Sequence, residues 1–471
     1  MLKCIERIVA IIAVVCCAGC FNREGNIVKE IQIGLHNNNE LKIQIDVKTS
    51  AEAEVYAVYW TDSLGSGKQY VSTVSKTGLT HSLILGNISP ATHYSFRVIT
   101  QQQGNKRESK VYHFKSRTLP LWLQDQFRYT CPKNELLPAE FKNGYMLINK
   151  REAPGLAYIV DYKGRLRWYH MVDGTGFKVA HFTKDTSIIA ILGKSDEPTS
   201  YGSEILEINL LGDTLLHLKK GQGDFKQTIH HEILKKNRNE VVTIYVAEKI
   251  MDLSSRGGGK ADTVRGDGIL VMDRNGKKLW QWSVFDVMNP LDDPHIAKSK
   301  GDWMHANSLN YDKDSSFLMS FYNNGQIWKI DARSGKLLWK LGKEGNIQVP
   351  AECNFTQSHA VHINQYGRLM LFDNGVEKKQ SEVFALKMNE IQRTAAIDLH
   401  IKLPAEIYND RMGSAYMIND STVLCCCSKR HITVLANRKG VLLWTLDTSV
   451  PPYRVQFLPE AVVKPYIVQL Q

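Results

Sequence analysis

Three short stretches of this sequence set histidine beside other polar groups in otherwise apolar surroundings: His230-His231-Glu232-Ile233, Trp303-Met304-His305-Ala306-Asn307-Ser308 and Phe355-Thr356-Gln357-Ser358-His359-Ala360-Val361-His362. Near neutral pH an uncharged imidazole is a competent nucleophile or base, and a protonated one donates to a departing oxyanion. Imidazoles gathered from three segments would therefore suffice for covalent transfer chemistry, with no metal and no cofactor expected. In regular strands His305 and Asn307 share a face, whereas His230 opposes His231 and His359 opposes His362. At most one member of each latter pair is then expected at a common site. A lone histidine in a strand is more often structural than catalytic; three at one phase of a repeat are a stronger sign.

A hairpin repeat sets that phase. Asp161-Tyr162-Lys163-Gly164 followed by Trp168, Asp273-Arg274-Asn275-Gly276 followed by Trp280, and Asn437-Arg438-Lys439-Gly440 followed by Trp444 share one spacing. Asp331 to Gly335 with Trp339 adds a turn residue, Asn209 to Gly212 with Leu216 replaces the Trp, and a worn copy lies at Val383 to Asn389. The Asp or Asn and the Gly supply a turn with positive φ, and the following aromatic packs on the inner face of the next strand. Six such hairpins without intervening helices predict an all-β fold, a six-bladed β-propeller over 121–471. Its blades would aim the three histidine stretches at one channel. The segment from Leu121 to Lys150 is expected to lend a strand that closes the ring against the last blade.

Ahead of the propeller, 27–118 alternates in short runs rich in Val, Ile, Tyr and Thr, which predicts a β-sandwich. Ile88 to Val98 resembles the fibronectin type III segment that carries a tyrosine corner, and Trp60 is expected in the core. No chemistry is assigned to this module.

The length of 471 residues excludes a single small domain, and 43% hydrophobic with 23% charged residues excludes disordered or polytopic membrane classes. A net charge of +11 favours anionic partners, yet no basic run of nucleic-acid-binding length occurs, so a small anion, or no functional meaning, is expected rather than DNA. Lys3 and Arg7 precede an apolar stretch that predicts a signal peptide over 1–19, and its end, Ala18-Gly19-Cys20, resembles the bacterial lipoprotein box, which implies lipidation of Cys20 with a tether over 20–26. The expected location is that of an exported bacterial lipoprotein, anchored in the membrane on the periplasmic side or at the cell surface. Of nine cysteines, five lie beyond Cys20, an odd number, and Cys425-Cys426-Cys427 reads as small buried hydrophobes.

On His230 to Ile233, Asp302 to Ser308, Phe355 to His359, Ile327 to Asp331 through Trp339 to Gly342, and Phe372-Asp373-Asn374-Gly375, the chain resembles the bacterial aryl-sulfate sulfotransferase family. The resemblance implies transfer of a sulfuryl group from a phenolic sulfate ester to a phenol, without a nucleotide sulfate donor, through a transiently sulfated histidine in ping-pong order. It implies His359 as the nucleophile, His305 and Asn307 as holders of the sulfuryl or aryl oxygens, and His230 or His231 completing the pocket. The family pattern carries a sulfate-gripping Arg where this chain has Tyr322. Sulfate binding is therefore expected to be weaker unless Arg368, Arg411 or Arg454 reaches in, Arg454 lying in a segment that itself resembles the family.

The expected partners are an aryl sulfate, a phenol and, through Cys20, a membrane; no nucleic acid is expected, and a homodimer is left open. One rival reading is a non-catalytic propeller binding a glycan or aryl ligand, favoured by Tyr322 in place of Arg. A second is a metal-dependent hydrolase or lyase with His231, His305 and His359 as ligands.

Overall fold

The computed structural model describes residues 27–61, 69–198 and 200–463, and the backbone of 469–470. The signal peptide, Cys20 and the tether lie outside the described residues. Among the described residues no helix is long and apolar enough to cross a membrane. The chain divides into two compact units: one runs to Gln124 and takes in Arg167–Tyr169 and the residues from Ala461, the other comprises Asp125–Leu166 and His170–Glu460.

In the first unit one long strand, Asn39–Thr61, changes partners along its length. Its first half pairs with Val28–His36 and Ser75–Leu85, its second half with His93–Gln102 and Gln69–Val71. Ile43, Ile45 and Val47 from the first half and Val55, Ala57 and Tyr59 from the second share one core with Leu83, Leu85, Phe96 and Val98. The Tyr94 hydroxyl accepts the Ser89 backbone N–H at 2.9 Å, the bond of a tyrosine corner. Trp60 is not in this core. It is half-buried under the Arg97 guanidinium, 5.3 Å from the ring centroid, and the preceding residue, Tyr59, points inward instead.

The second unit is a six-bladed propeller of antiparallel sheets. The inner strands are Val455–Leu458, Thr175–Phe182, Ile229–Lys235, Ala306–Tyr311, Ser358–Ile363 and Ser414–Asn419, for blades 1 to 6, and in blade 3 the two-residue strand Tyr201–Gly202 pairs along the free edge of Ile229–Lys235. Each touches the next in that order, and the sixth touches the first, closing the ring. The ring is clasped twice. Phe127–Thr130 adds an outermost strand to blade 6 beside Leu442–Thr448, as expected, and the C-terminal Val455–Leu458 supplies the inner strand of blade 1 beside Tyr145–Lys150.

The hairpins form as the sequence predicts, for a local reason. Gly164, Gly212, Gly276, Gly335 and Gly440 all have φ between 70° and 97°. The side chain of Asp273 accepts the backbone N–H groups of Asn275 and Lys277 at 2.8 and 2.9 Å, and Asn437 does the same for Lys439 and Val441. Trp339 and Trp444 are buried, each such side chain contributing about 2–3 kcal/mol. Trp280 is only half-buried, and Trp282, two residues on, enters the core against Trp328. Cys425, Cys426 and Cys427 are buried and unbridged among Val423, Val434 and their neighbours.

Candidate active site

The inner strands of blades 3, 4 and 5 are irregular where the histidines lie. Their registers shift between His230 and Ile233, between Ala306 and Ser308, and between His359 and His362. His231, His305 and Ala360 adopt φ of 58°, 55° and 51°, left-handed conformations that each cost on the order of 1 kcal/mol for a residue bearing Cβ. These bulges break the two-residue alternation. His230 and His231 consequently do not oppose each other: their Nδ1 atoms lie 2.8 Å apart. His305 and Asn307 do not share an environment either, His305 being partly exposed and Asn307 fully buried. His362 is turned to the Tyr416 ring, 5.0 Å between centroids.

The rings form a continuous series. His230 meets His231 at 5.0 Å between centroids, His231 meets His305 at 5.0 Å, His305 meets Tyr322 at 5.6 Å, and Tyr322 meets His359 at 5.5 Å. Residues from three blades thus line one spot.

His359 Nδ1 lies 2.6 Å from the Asn374 Oδ1, and Asn374 is itself fixed because its Nδ2 donates to the carbonyls of Asn409 and Met412 at 2.7 and 2.9 Å. The amide oxygen must accept, so Nδ1 of His359 carries the proton and Nε2 keeps its lone pair. Burial, then the charges of Arg454 and His305, hold the His359 pKa well below the usual imidazole range, so the ring is neutral.

His305 is tuned the other way. Burial opposes its charge, but Asp302, whose Oδ2 lies 2.6 Å from Nδ1, outweighs it and raises the pKa. The bond to Asp302 leaves the Nε2–H as the free donor of the imidazolium. Tyr322 stands between the two histidines, its hydroxyl donating to the Asp410 carbonyl at 2.9 Å.

Behind His231, His230 Nε2 faces Asp267 Oδ1 at 3.4 Å. Burial is the largest cause of every shift in this group. It pushes His230 down to about 3, keeps His231 well below the ordinary imidazole value and lifts Asp267 to about 7.

Arg454 precedes the inner strand of blade 1 at the phase of the histidines, but its guanidinium is committed. It pairs with Glu232 and donates to the Asn307 carbonyl at 2.6 Å. Glu232 also bonds His181, and although burial opposes its charge, Arg454 and His181 hold its pKa near 2. Asn307 spends its side chain in the same framework, Nδ2 donating to the Ser358 carbonyl at 2.8 Å and Oδ1 accepting from Ser320 at 2.6 Å. Arg368 pairs with Asp398 at 3.0 Å, and Arg411 is exposed beside Asp410, so neither joins the cluster.

Sequence reasoning missed Arg151. Its guanidinium packs 5.0 Å from the Tyr453 ring centroid, its Nη1 is 2.6 Å from the Met412 sulfur, and its charge acts on both His231 and His359. Gly176 is required beside it, since a Cβ there would lie 1.7 Å from the Arg151 carbonyl oxygen. Asp267, Asp302 and Asn374 were also unassigned; only the last two lie in the stretches that carry the family resemblance. Among the described residues, no group of three His, Cys, Asp or Glu side chains is arranged to hold a metal ion.

A family model described as Arylsulfotransferase (ASST) matches residues 132–401, more than half of the chain. No curated protein matches. Solved structures similar to this chain include a protein of unknown function from Bacteroides caccae, 12% identical, with a TM-score of 0.43, covering 67% of this chain and 98% of that one. Another is virginiamycin B lyase from Staphylococcus aureus, 9% identical, with a TM-score of 0.36, covering 71% of this chain and 96% of that one. A DUF4784 family protein from Bacteroides caccae is 9% identical, with a TM-score of 0.35, covering 88% of this chain and 95% of that one. At these scores the likenesses carry no functional argument.

Proposed function

The chain belongs to the arylsulfotransferase family, and on that premise we propose that it moves a sulfuryl group from a phenolic sulfate ester to a phenol through a sulfated His359. The observation that carries this reading is the opposed tuning of two imidazoles flanking Tyr322: His359 neutral with a lone pair on Nε2, His305 with its pKa raised by Asp302 against the effect of burial. Paired groups pushed apart in pKa are the mark of divided catalytic roles.

In the first half-reaction Nε2 of His359 attacks sulfur, an S–N bond forms and the S–O bond to the aryl group breaks. Sulfuryl transfer resembles phosphoryl transfer in its loose transition state, so charge gathers on the leaving oxygen and fixed donors lower the barrier. His305 Nε2–H is such a donor. In the second half-reaction a phenol oxygen takes the sulfuryl group from His359. Because the Asn307 amide is engaged with Ser358 and Ser320, its part here is to hold the strands that carry His305 and His359. Arg454 likewise acts through Glu232 and Asn307. Export and anchoring through Cys20 belong to the same proposal and rest on the N-terminal sequence alone.

The test is turnover of a chromogenic aryl sulfate with a phenol acceptor. Wild type transfers and His359→Ala does not; donor cleavage that survives His359→Ala removes the nucleophile. A second reading, a non-catalytic aryl or glycan binder, is favoured by the Tyr322 ring between His305 and His359. Tight binding of an aryl sulfate without turnover would select it.

A further inference from the structure

At one end of the ring series lies a set of polar groups that the two roles above leave unused. Asp267 comes from the third strand of blade 3, Asp262–Asp273, and is sealed from solvent with the two histidines of the inner strand. His230 Nε2 and Asp267 Oδ2 are buried with no hydrogen-bond partner, and the gap between His230 Nε2 and Asp267 Oδ1 is 3.4 Å. On its other edge His230 meets His231 nitrogen to nitrogen at 2.8 Å, so one of these two Nδ1 atoms must carry a proton and the other a lone pair. Which one does is tied to the proton of Asp267. A protonated carboxyl donating to His230 Nε2 puts hydrogen on His230 Nδ1 and on His231 Nε2. An ionised carboxylate accepting from His230 Nε2 moves hydrogen to His231 Nδ1 and bares His231 Nε2.

Resting on the sulfuryl-transfer reading, we propose that Asp267, His230 and His231 form a buried proton store that gives a proton to the departing phenolate in the first half-reaction and recovers it from the acceptor phenol in the second. The atoms balance. As the S–O bond breaks, His231 Nε2–H passes its proton to the aryl oxygen, His230 Nδ1–H refills His231 Nδ1, and the Asp267 carboxyl proton passes to His230 Nε2, leaving a carboxylate. When the acceptor phenol attacks sulfur, its proton enters at His231 Nε2 and the sequence runs backward to a protonated Asp267. No net proton is exchanged with solvent over the cycle, and both imidazoles are neutral in each resting form.

The surroundings agree. The groups acting on His230 are His231, the Tyr201 ring at 5.4 Å, Asp267, the charges of His305 and Asp302, and the Tyr245 carbonyl, which favours a proton on His230; those acting on Asp267 are His230, the Ala306 N–H and the charges of Asp302 and His305. Burial holds Asp267 near 7, which lets a carboxyl group be protonated at neutral pH.

The test compares wild type with Asp267→Asn and His230→Gln on two donors, a sulfate ester of a weakly acidic phenol, which needs a proton on leaving, and 4-nitrophenyl sulfate, which needs little help. The expected loss is about a hundredfold or more on the first and at most about tenfold on the second, the range of general acid catalysis. Equal losses on both donors would mean a structural role and overturn the proposal. A protonated-carboxyl band in the infrared spectrum of wild type at pH 6, missing from Asp267→Asn, is expected whether or not the protein turns over. Its absence from wild type overturns the proton store; its presence without any aryl-sulfate turnover overturns the transferase reading instead.

Discussion

Asn374 fixes which nitrogen of His359 is available for reaction: its amide oxygen takes the Nδ1 proton at 2.6 Å while its NH2 group is pinned by two backbone carbonyls. The Nε2 lone pair that the proposed transfer uses thus depends on a residue at the end of a different strand. Asn374→Leu removes the acceptor and frees the tautomer. Transfer activity is expected to fall about a hundredfold or more with the fold intact, measured as kcat with aryl sulfate and phenol.

Asp302 should be read out in the pH profile. It raises the pKa of His305 against the effect of burial, and the imidazolium is the useful form, so activity is lost as pH rises through that pKa. In Asp302→Asn the charge and the strongest acceptor are gone, and the alkaline limb of kcat/KM is expected to move to lower pH. A limb that stays in place would assign it to another group.

The Arg454–Glu232 pair should govern stability more than chemistry. Removing one partner of a buried pair strands the other charge, so Arg454→Leu is expected to destabilise by about 3–5 kcal/mol. The double variant Arg454→Leu/Glu232→Leu is expected to recover part of that loss in chemical denaturation. Glu232 is held near 2, so its stabilising contribution is complete above its unfolded value near 4.3 and is lost as pH falls from there toward 2, an effect of about 3 kcal/mol.

In the family pattern that the sequence resembles, Tyr322 takes the position of an Arg. Tyr322→Arg would put a bidentate donor between His305 and His359, and one charge-assisted hydrogen bond is worth about 1.5–3 kcal/mol. The KM for an aryl sulfate is expected to fall by about tenfold or more. Tyr322→Phe, which loses only the bond to the Asp410 carbonyl, is expected to change it little.

The hairpins were legible because their causes are local: a glycine with positive φ and an Asp or Asn that binds the N–H groups two and four residues on act within one turn. The blade count and the closing strand followed. Strand parity misled at the site, since the left-handed conformations of His231 and His305 occur at residues whose side chains do not announce them. The bulge of blade 3 brought His230 and His231 together, and that of blade 4 separated His305 from Asn307. The tuning partners were harder still, because Asp267 and Asn374 reach the histidines from other strands of the same blades, at distances along the chain that no spacing rule connects. Arg454 was recognised as family-like, but only the fold reveals that Glu232 holds it.

The most direct measurement is acid-free quenching of the enzyme with an aryl sulfate and no acceptor, followed by peptide mass analysis. One SO3 unit per chain is expected on the peptide containing His359, appearing with a burst of one phenol, discharged on adding an acceptor phenol and absent from His359→Ala. Phenol release with no adduct, or an adduct on another residue that still discharges to acceptor, would contradict sulfation of His359.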